Sequence, residues 1–149
     1  MTRRAAATLA ILLGITGCGG SGSITPATYR AKVNKLCATG NAQIEALPAN
    51  SVNSIAGIER LDAIANATLR RIKTITPPSS ISSAVHTWLG TLDRASSDTG
   101  QIITALRAGQ TTQAATLGGQ VAAVNTQSNT EAKAAGLDSC ASDAIPRGS

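Results

Sequence analysis

The stretch ISSAVHTWLGTLDRASSDTGQIITAL, residues 81–106, carries the strongest structural signal in the chain. Its apolar and small residues recur at steps of four and three, which places them on one face of an α-helix. They are Ile81, Val85, Trp88, Leu92, Ala95, Thr99, Ile102 and Leu106. Ser79 and Ser80 precede the stretch as capping residues and Gly109 follows it as a stop, so one long amphipathic helix is predicted here.

Three further segments show the same periodicity. Residues 26–47 follow the capping residue Thr25 and begin with a proline, whose missing N–H does no harm at the first helical position. Residues 52–75 stop at the adjacent prolines of TPPSS, residues 76–80, because proline removes a donor and disfavours a helical residue before it. Residues 112–135 end before a glycine and present a stripe that is small and partly polar.

Four amphipathic segments with short connections predict an all-α protein, folded as an antiparallel up-down four-helix bundle. The weak stripe of the fourth segment leaves an alternative, a three-helix bundle with an irregular C-terminal segment. The chain contains no Phe, one Trp and one Tyr. Its interior is therefore built from small side chains that each bury little area, at ~25 cal/mol per Å2, and we expect modest stability.

The start of the chain has the layout of a signal peptide: Arg3 and Arg4, an apolar run, and then ITGC at residues 15–18. The apolar run is shorter than the ~20 residues that a membrane-spanning helix needs. ITGC resembles the lipobox of bacterial lipoproteins. That resemblance implies cleavage after Gly17, a diacylglyceryl group on the thiol of Cys18, and a protein held on the outer face of the cell membrane.

The resemblance also divides the chain into parts. Residues 1–17 are the signal peptide, residues 18–25 a lipid-bearing flexible tether, residues 26–141 the helical domain, and residues 142–149 a flexible tail. Two or more acyl chains at one site give a stable anchor, whereas a single chain holds a protein only marginally. The alternative is an ordinary secreted protein, cut at the same place, with a spare thiol at Cys18.

With Cys18 assigned to lipid, Cys37 and Cys140 remain as an even pair in a compartment where disulfides persist. We predict a bond between them, and closing a loop of ~100 residues is worth on the order of 4 to 5 kcal/mol in the chain-entropy model. Cys37 lies midway along the first helix, so the chain after Gly136 must fold back along that helix. Two unrelated buried thiols are the alternative, and a metal site is not expected because the thiols and His86 lack a ligand spacing.

YRAKVNKLCATGNAQIEAL, residues 29–47, together with GLDSC at residues 136–140, is similar to a loose group of small helical exported proteins from high-GC Gram-positive bacteria. The shared features are structural: a cysteine pair, helix caps and loop prolines. The resemblance implies a helical bundle with a disulfide, and it implies no activity.

Net charge argues against a nucleic-acid partner. The chain has 13 basic and 8 acidic side chains, and without Arg3 and Arg4 the balance falls to eleven against eight. Basic clusters lie in LRRIK, residues 69–73, and on the first helix at residues 30–35. The second cluster is near the tether, where anionic lipid headgroups would attract it, although a solvated helix face explains it equally well.

Candidate chemistry is sparse. His86 is the only histidine, and Asp93, two turns further along the helix, is its one candidate orienting partner, so no catalytic residue and no enzyme are predicted. Tyr29 and His86 are both types of haem ligand, but they lie in separate helices. Trp88 is either a core anchor or a surface on which a ligand stacks.

These observations favour a non-catalytic binding or interaction module on the cell envelope, with a partner protein or lipid. The alternative is a carrier of a small hydrophobic ligand, a lipid or haem, held between the helices. A carrier needs a pocket of roughly several hundred Å3 lined by Ile, Leu and Trp88. The ligand contacts would then come from Trp88, His86 and Tyr29, with no metal and no resident cofactor.

Overall fold

The computed structural model describes residues 24–141, which form a four-helix bundle. The helices are α1 (Pro26–Glu45), α2 (Ile55–Lys73), α3 (Ser79–Arg107) and α4 (Thr111–Ala134). Single turns of 3-10 helix, Ser51–Asn53 and Asp138–Cys140, precede α2 and follow α4. The predicted four-helix bundle is confirmed, and the three-helix alternative is wrong because α4 is a continuous helix of 24 residues. No helix between residues 24 and 141 is both long and apolar enough to cross a bilayer.

Local chemistry explains where the helices begin. Thr25 caps α1, since its hydroxyl oxygen accepts a hydrogen bond from the backbone N–H of Thr28 at 3.2 Å. The predicted serine cap of α3 is wrong: Ser79 and Ser80 are its first two residues, and Pro78 occupies the cap position without a side-chain bond. Pro78 has an extended backbone, which is the conformation that a cap position requires, so the helix begins directly after it.

One half of the bundle has a continuous core, and we call it the closed half. It contains the N-terminal half of α1, the C-terminal ends of α2 and α4, and the first turns of α3. Its buried residues are Tyr29, Val33, Cys37, Ile72, Val85, Trp88, Ala132, Ala135 and Leu137. Ile24 packs against this core, so the described chain enters the bundle at the closed half.

The opposite half, which we call the cavity half, is packed less tightly. It contains the C-terminal half of α1, the N-terminal halves of α2 and α4, and the second half of α3. Ile103 and Leu117 are buried there. Most of the larger apolar side chains that line the space between the helices are only half-buried, among them Ile44, Ile58, Leu61, Ile102 and Val121. The two halves therefore share the same helices but differ in how completely the space between the helices is filled.

The chain after α4 closes the side of the bundle between α1 and α4. α3 packs along most of α4, while α1 approaches α4 little among the described residues, and the turn Asp138–Cys140 contacts both. Gly136 makes the reversal possible, because its φ of 74° lies in the left-handed region that favours glycine. Leu137 then enters the core and is fully buried.

Side chains of α1 hold this returning segment through its backbone. Arg30 Nε donates to the carbonyl of Ala135 at 2.8 Å, and the amide of Asn34 donates to the carbonyl of Gly136 at 3.3 Å. Asn34 Oδ1 also accepts from the N–H of Ser139 at 3.0 Å. These bonds satisfy carbonyl groups that the end of a helix otherwise leaves unpaired.

Cys37 and Cys140 form a disulfide bond, with their Cα atoms 5.0 Å apart and 103 positions between them in the sequence. The predicted pairing is confirmed, as is the predicted return of the chain along α1. The bond joins the turn after α4 to the middle of α1. It therefore lies where the closed half meets the cavity half.

Candidate functional site

A cavity of about 550 Å3 lies between the helices, mainly in the cavity half. All four helices line it, and most of its surface is apolar. The larger side chains of its wall are Ile44, Ile58, Leu61, Leu69, Ile72, Trp88, Leu92, Ile102 and Val121. Its volume falls in the range of ~300 to 1,000 Å3 that small-molecule sites occupy, and the wall composition is typical of such sites.

Small residues on the wall explain why the space is unfilled. Gly40, Ala65, Ala95 and Gly118 line the cavity at positions where a bundle interior commonly carries a larger side chain. A Cβ atom added at Gly118 would meet no atom within 4 Å. At Gly40 the opposite holds, because a Cβ would lie 2.6 Å from Thr68 Oγ1, so α1 and α2 approach closely there. The backbones of α1 and α2 are therefore in close contact at Gly40, while the space beside Gly118 on α4 stays open.

One side of the wall carries a small polar cluster formed by Asp62, Asn66 and Ser96. The hydroxyl of Ser96 donates to Asn66 Oδ1 at 2.6 Å, which leaves the NH2 group of Asn66 to donate to the carboxylate of Asp62. Desolvation by burial raises the pKa of Asp62, and the hydrogen bond from Asn66 offsets part of that change. The cluster is the place where a ligand in the cavity meets a negative group.

Trp88 lies where the closed half meets the cavity half. It is 1% exposed, it belongs to the closed-half core, and it also lines the cavity. Its Nε1 donates to Ser128 Oγ at 3.2 Å, so the polar edge of the indole is satisfied inside the bundle. Trp88 is therefore a core anchor that also lines the cavity, and the stacking of a ligand on it stays a prediction.

The other two candidate ligand contacts, Tyr29 and His86, do not line the cavity. Tyr29 is completely buried in the closed half, where desolvation raises the pKa of its phenol. His86 is exposed, and its Nδ1 lies 3.3 Å from Ser82 Oγ. Asp93, the candidate partner of His86, instead pairs with Lys73 Nζ at 2.5 Å.

Sequence reasoning missed the polar cluster. Asp62 and Asn66 are four residues apart on α2, beside the apolar stripe through Leu61, Ala65 and Leu69. A polar pair at that spacing, bordering a core stripe, was the available signal. Ser96 occupies the equivalent border position on α3, next to Ala95, and only the packing of α2 against α3 brings it to Asn66.

Several predicted sites fall elsewhere. The cleavage site at Gly17, the lipidated Cys18, most of the tether and the tail at residues 142–149 lie outside the described residues. Within residues 24–141, no group of three or more His, Cys, Asp or Glu side chains is arranged to hold a metal ion. Comparison of the chain with protein families, curated proteins and solved structures found no match, so its function rests on the fold and the cavity.

Proposed function

We propose that this protein is a non-catalytic carrier or binding protein that holds a small hydrophobic molecule of the lipid type in the cavity between its helices. The observation that carries this proposal is the apolar cavity of about 550 Å3 with Trp88 in its wall. The cavity is partly open to solvent, so its apolar wall is in contact with water when no ligand is bound. A ligand that fills it covers this wall and removes its own apolar surface from water.

The position of the polar residues favours a lipid over haem. A haem site requires an axial ligand at the iron, and neither Tyr29 nor His86 lines the cavity. The groups that do line it are mostly aliphatic side chains and Trp88, with the Cys37–Cys140 disulfide, a few amides and hydroxyls, and the carboxylate of Asp62. Such a wall fits an alkyl chain or a similar flexible apolar group.

Docking of a protein partner receives less support from the surface. Val52 is the only large hydrophobic side chain that is exposed among residues 24–141, at 38%. Protein-binding surfaces commonly show a contiguous apolar patch, which one valine does not provide. The molecule that this protein binds is therefore proposed to be a small ligand inside the bundle and not a partner protein on its surface.

The proposed location remains the outer face of the cell membrane, with the anchor at Cys18. The resemblance of ITGC to a lipobox supports this location. Intact-mass analysis of the protein extracted from membranes tests the anchor, because lipid on Cys18 adds the mass of its acyl chains.

Ligand binding is tested with the intrinsic fluorescence of Trp88, the only tryptophan in the chain. Titration with decanol, kept below its solubility limit, is expected to change the emission saturably. Gly118→Leu places a side chain in the open centre and should weaken binding by at least about tenfold. Gly90→Leu is the matched control, since Gly90 also meets no atom within 4 Å but does not line the cavity.

The two variants separate the cavity from the rest of the surface. Wild-type affinity in Gly90→Leu with weakened affinity in Gly118→Leu supports the proposal. Equal affinity in both variants would show that decanol binds elsewhere, and the lack of any saturable signal in the wild type would overturn the proposal.

A further inference from the structure

Asp62 places a carboxylate in the otherwise apolar wall of the cavity without a cationic partner. The ion pairs within residues 24–141 are Lys73–Asp93 and Arg107–Glu59, and neither includes Asp62. Asp62 is half-buried, so a ligand seated beside it meets its charge and at the same time shields that charge from water.

The hydrogen bonds of the cluster leave Asp62 with unused acceptor capacity. A carboxylate offers about four acceptor positions, and Asn66 supplies a donor to Asp62 from within the cluster. The bond from Ser96 to Asn66 Oδ1 commits that oxygen and so orients the amide toward Asp62. The carboxylate is thus held in place by its neighbours while further acceptor positions stay free for a ligand.

We propose that the cavity selects amphiphiles whose polar end donates hydrogen bonds to Asp62, an amine or an alcohol, over amphiphiles of the same chain length that end in a carboxylate. This inference rests on the ligand-binding function proposed above and adds the chemical class of the head group. An amine gains a charge-assisted hydrogen bond and an alcohol a neutral one. A carboxylate brings a like charge against Asp62 and offers no donor.

The test compares decylamine, decanol and decanoate at neutral pH, each below its aggregation limit, by titration of Trp88 fluorescence in the wild-type protein. Decylamine is expected to bind most tightly and decanoate at least about tenfold more weakly than decylamine. In Asp62→Asn the dissociation constants of decylamine and decanoate should differ by no more than about threefold, while the dissociation constant of decanol changes little. Asp98→Asn on α3, which does not line the cavity, is the matched control and should keep the wild-type order.

The wild-type order tests the inference even if a variant folds poorly. Equal binding of decylamine and decanoate to the wild type, or an unchanged order in Asp62→Asn, overturns the selection by Asp62 and leaves the ligand-binding function standing. No saturable binding of any of the three overturns the binding function itself, and this inference with it.

Discussion

The closed half and the cavity half are built from the same four helices, yet they differ in the size of the side chains that face the centre. In the closed half, Tyr29, Val85 and Leu137 are completely buried and Trp88 nearly so. In the cavity half, Ile103 and Leu117 are buried, but Ile44, Ile58 and Val121 of the cavity wall are half-buried, and glycine and alanine occupy positions between the wall residues. A bundle therefore does not need a uniform core, because one well-packed half can hold the helices while the other stays open.

The two halves also differ in how their polar groups are satisfied. In the closed half, Arg30 and Asn34 donate to the backbone of the returning segment, and Trp88 donates to Ser128. In the cavity half, Asp62 has Asn66 as its partner within the cluster and faces unfilled space. The closed half is not fully satisfied either, since the hydroxyl of Tyr29 and one carboxylate oxygen of Glu131 are buried without a hydrogen-bond partner among the described residues. The difference is that Asp62 lines a cavity, whereas Tyr29 does not.

The largest effect is expected from breaking the covalent bond at the border of the two halves. Replacing both Cys37 and Cys140 with serine should lower the free energy of unfolding by about 4 to 5 kcal/mol, because the unfolded chain regains the freedom of a loop of ~100 residues. Unfolding by guanidinium, followed by circular dichroism, measures the change. Cys18→Ser is the control and should leave the unfolding midpoint unchanged, whereas an equally stable double variant would refute the role of the bond.

A matched pair of valines compares the packing of the halves directly. Val85 is completely buried in the closed half, and Val121 is half-buried in the cavity wall. Val85→Ala should lower the free energy of unfolding by about 2 kcal/mol, since it creates a void in a filled core. Val121→Ala should cost less than about 1 kcal/mol, because its side chain borders space that is already empty. Equal losses in urea unfolding would mean that the two halves are packed alike.

Alanine substitutions at a matched pair of glycines should change the free energy of unfolding by less, and in opposite directions. Gly118→Ala should raise the free energy of unfolding by roughly 0.5 to 1 kcal/mol, because alanine favours the helix and its Cβ meets only open space. Gly40→Ala should lower it by about 1 kcal/mol, because Thr68 must move away from the added Cβ. Thermal unfolding by calorimetry measures both, and a stabilising Gly40→Ala would show that α1 and α2 are not in close contact there.

The helices were predictable because each depends on a local pattern, and the periodicity of residues 81–106 needs no knowledge of the neighbouring helices. The disulfide was predictable because the resemblance of ITGC to a lipobox implied an oxidising compartment and left two cysteines to pair. Trp88 lies in the core and lines the cavity because it is on the apolar stripe of the most regular helix, while its contact with a ligand stays a prediction.

The cavity and its polar cluster were not predictable in the same way. Whether Asp62 faces solvent or the interior depends on how far α2 is rotated about its axis. A residue beside the apolar stripe of a helix can lie on either the buried or the exposed side. In the same way, the rotation of α3 about its own axis leaves His86 exposed, although it is a direct neighbour of the buried Val85. The start of α3 was misjudged because the backbone of Pro78 takes the cap position that the serines were expected to fill.

The smallest effect concerns the pH dependence that Asp62 adds to the cavity half. Burial raises its pKa in the folded protein above the usual value, so the folded state holds the proton more tightly than the unfolded state. Stability is then lost as the pH rises from the unfolded pKa through the folded pKa, and it is fully retained below both. Asp62→Asn removes this loss, so its melting temperature should be slightly above that of the wild type near pH 7 and equal to it near pH 3.

Calorimetry measures the melting temperatures of the wild type and Asp62→Asn at the two pH values. Asp98→Asn corrects for the loss of one acidic group, so the remaining difference is the effect of the Asp62 carboxylate in the cavity wall. A stabilisation of the same size at both pH values would place the effect in packing and not in charge. A lower melting temperature near pH 7 would mean that the folded state prefers the ionised carboxylate. In that case the hydrogen bond from Asn66 outweighs the desolvation of Asp62, and the cavity half needs no further donor from a ligand.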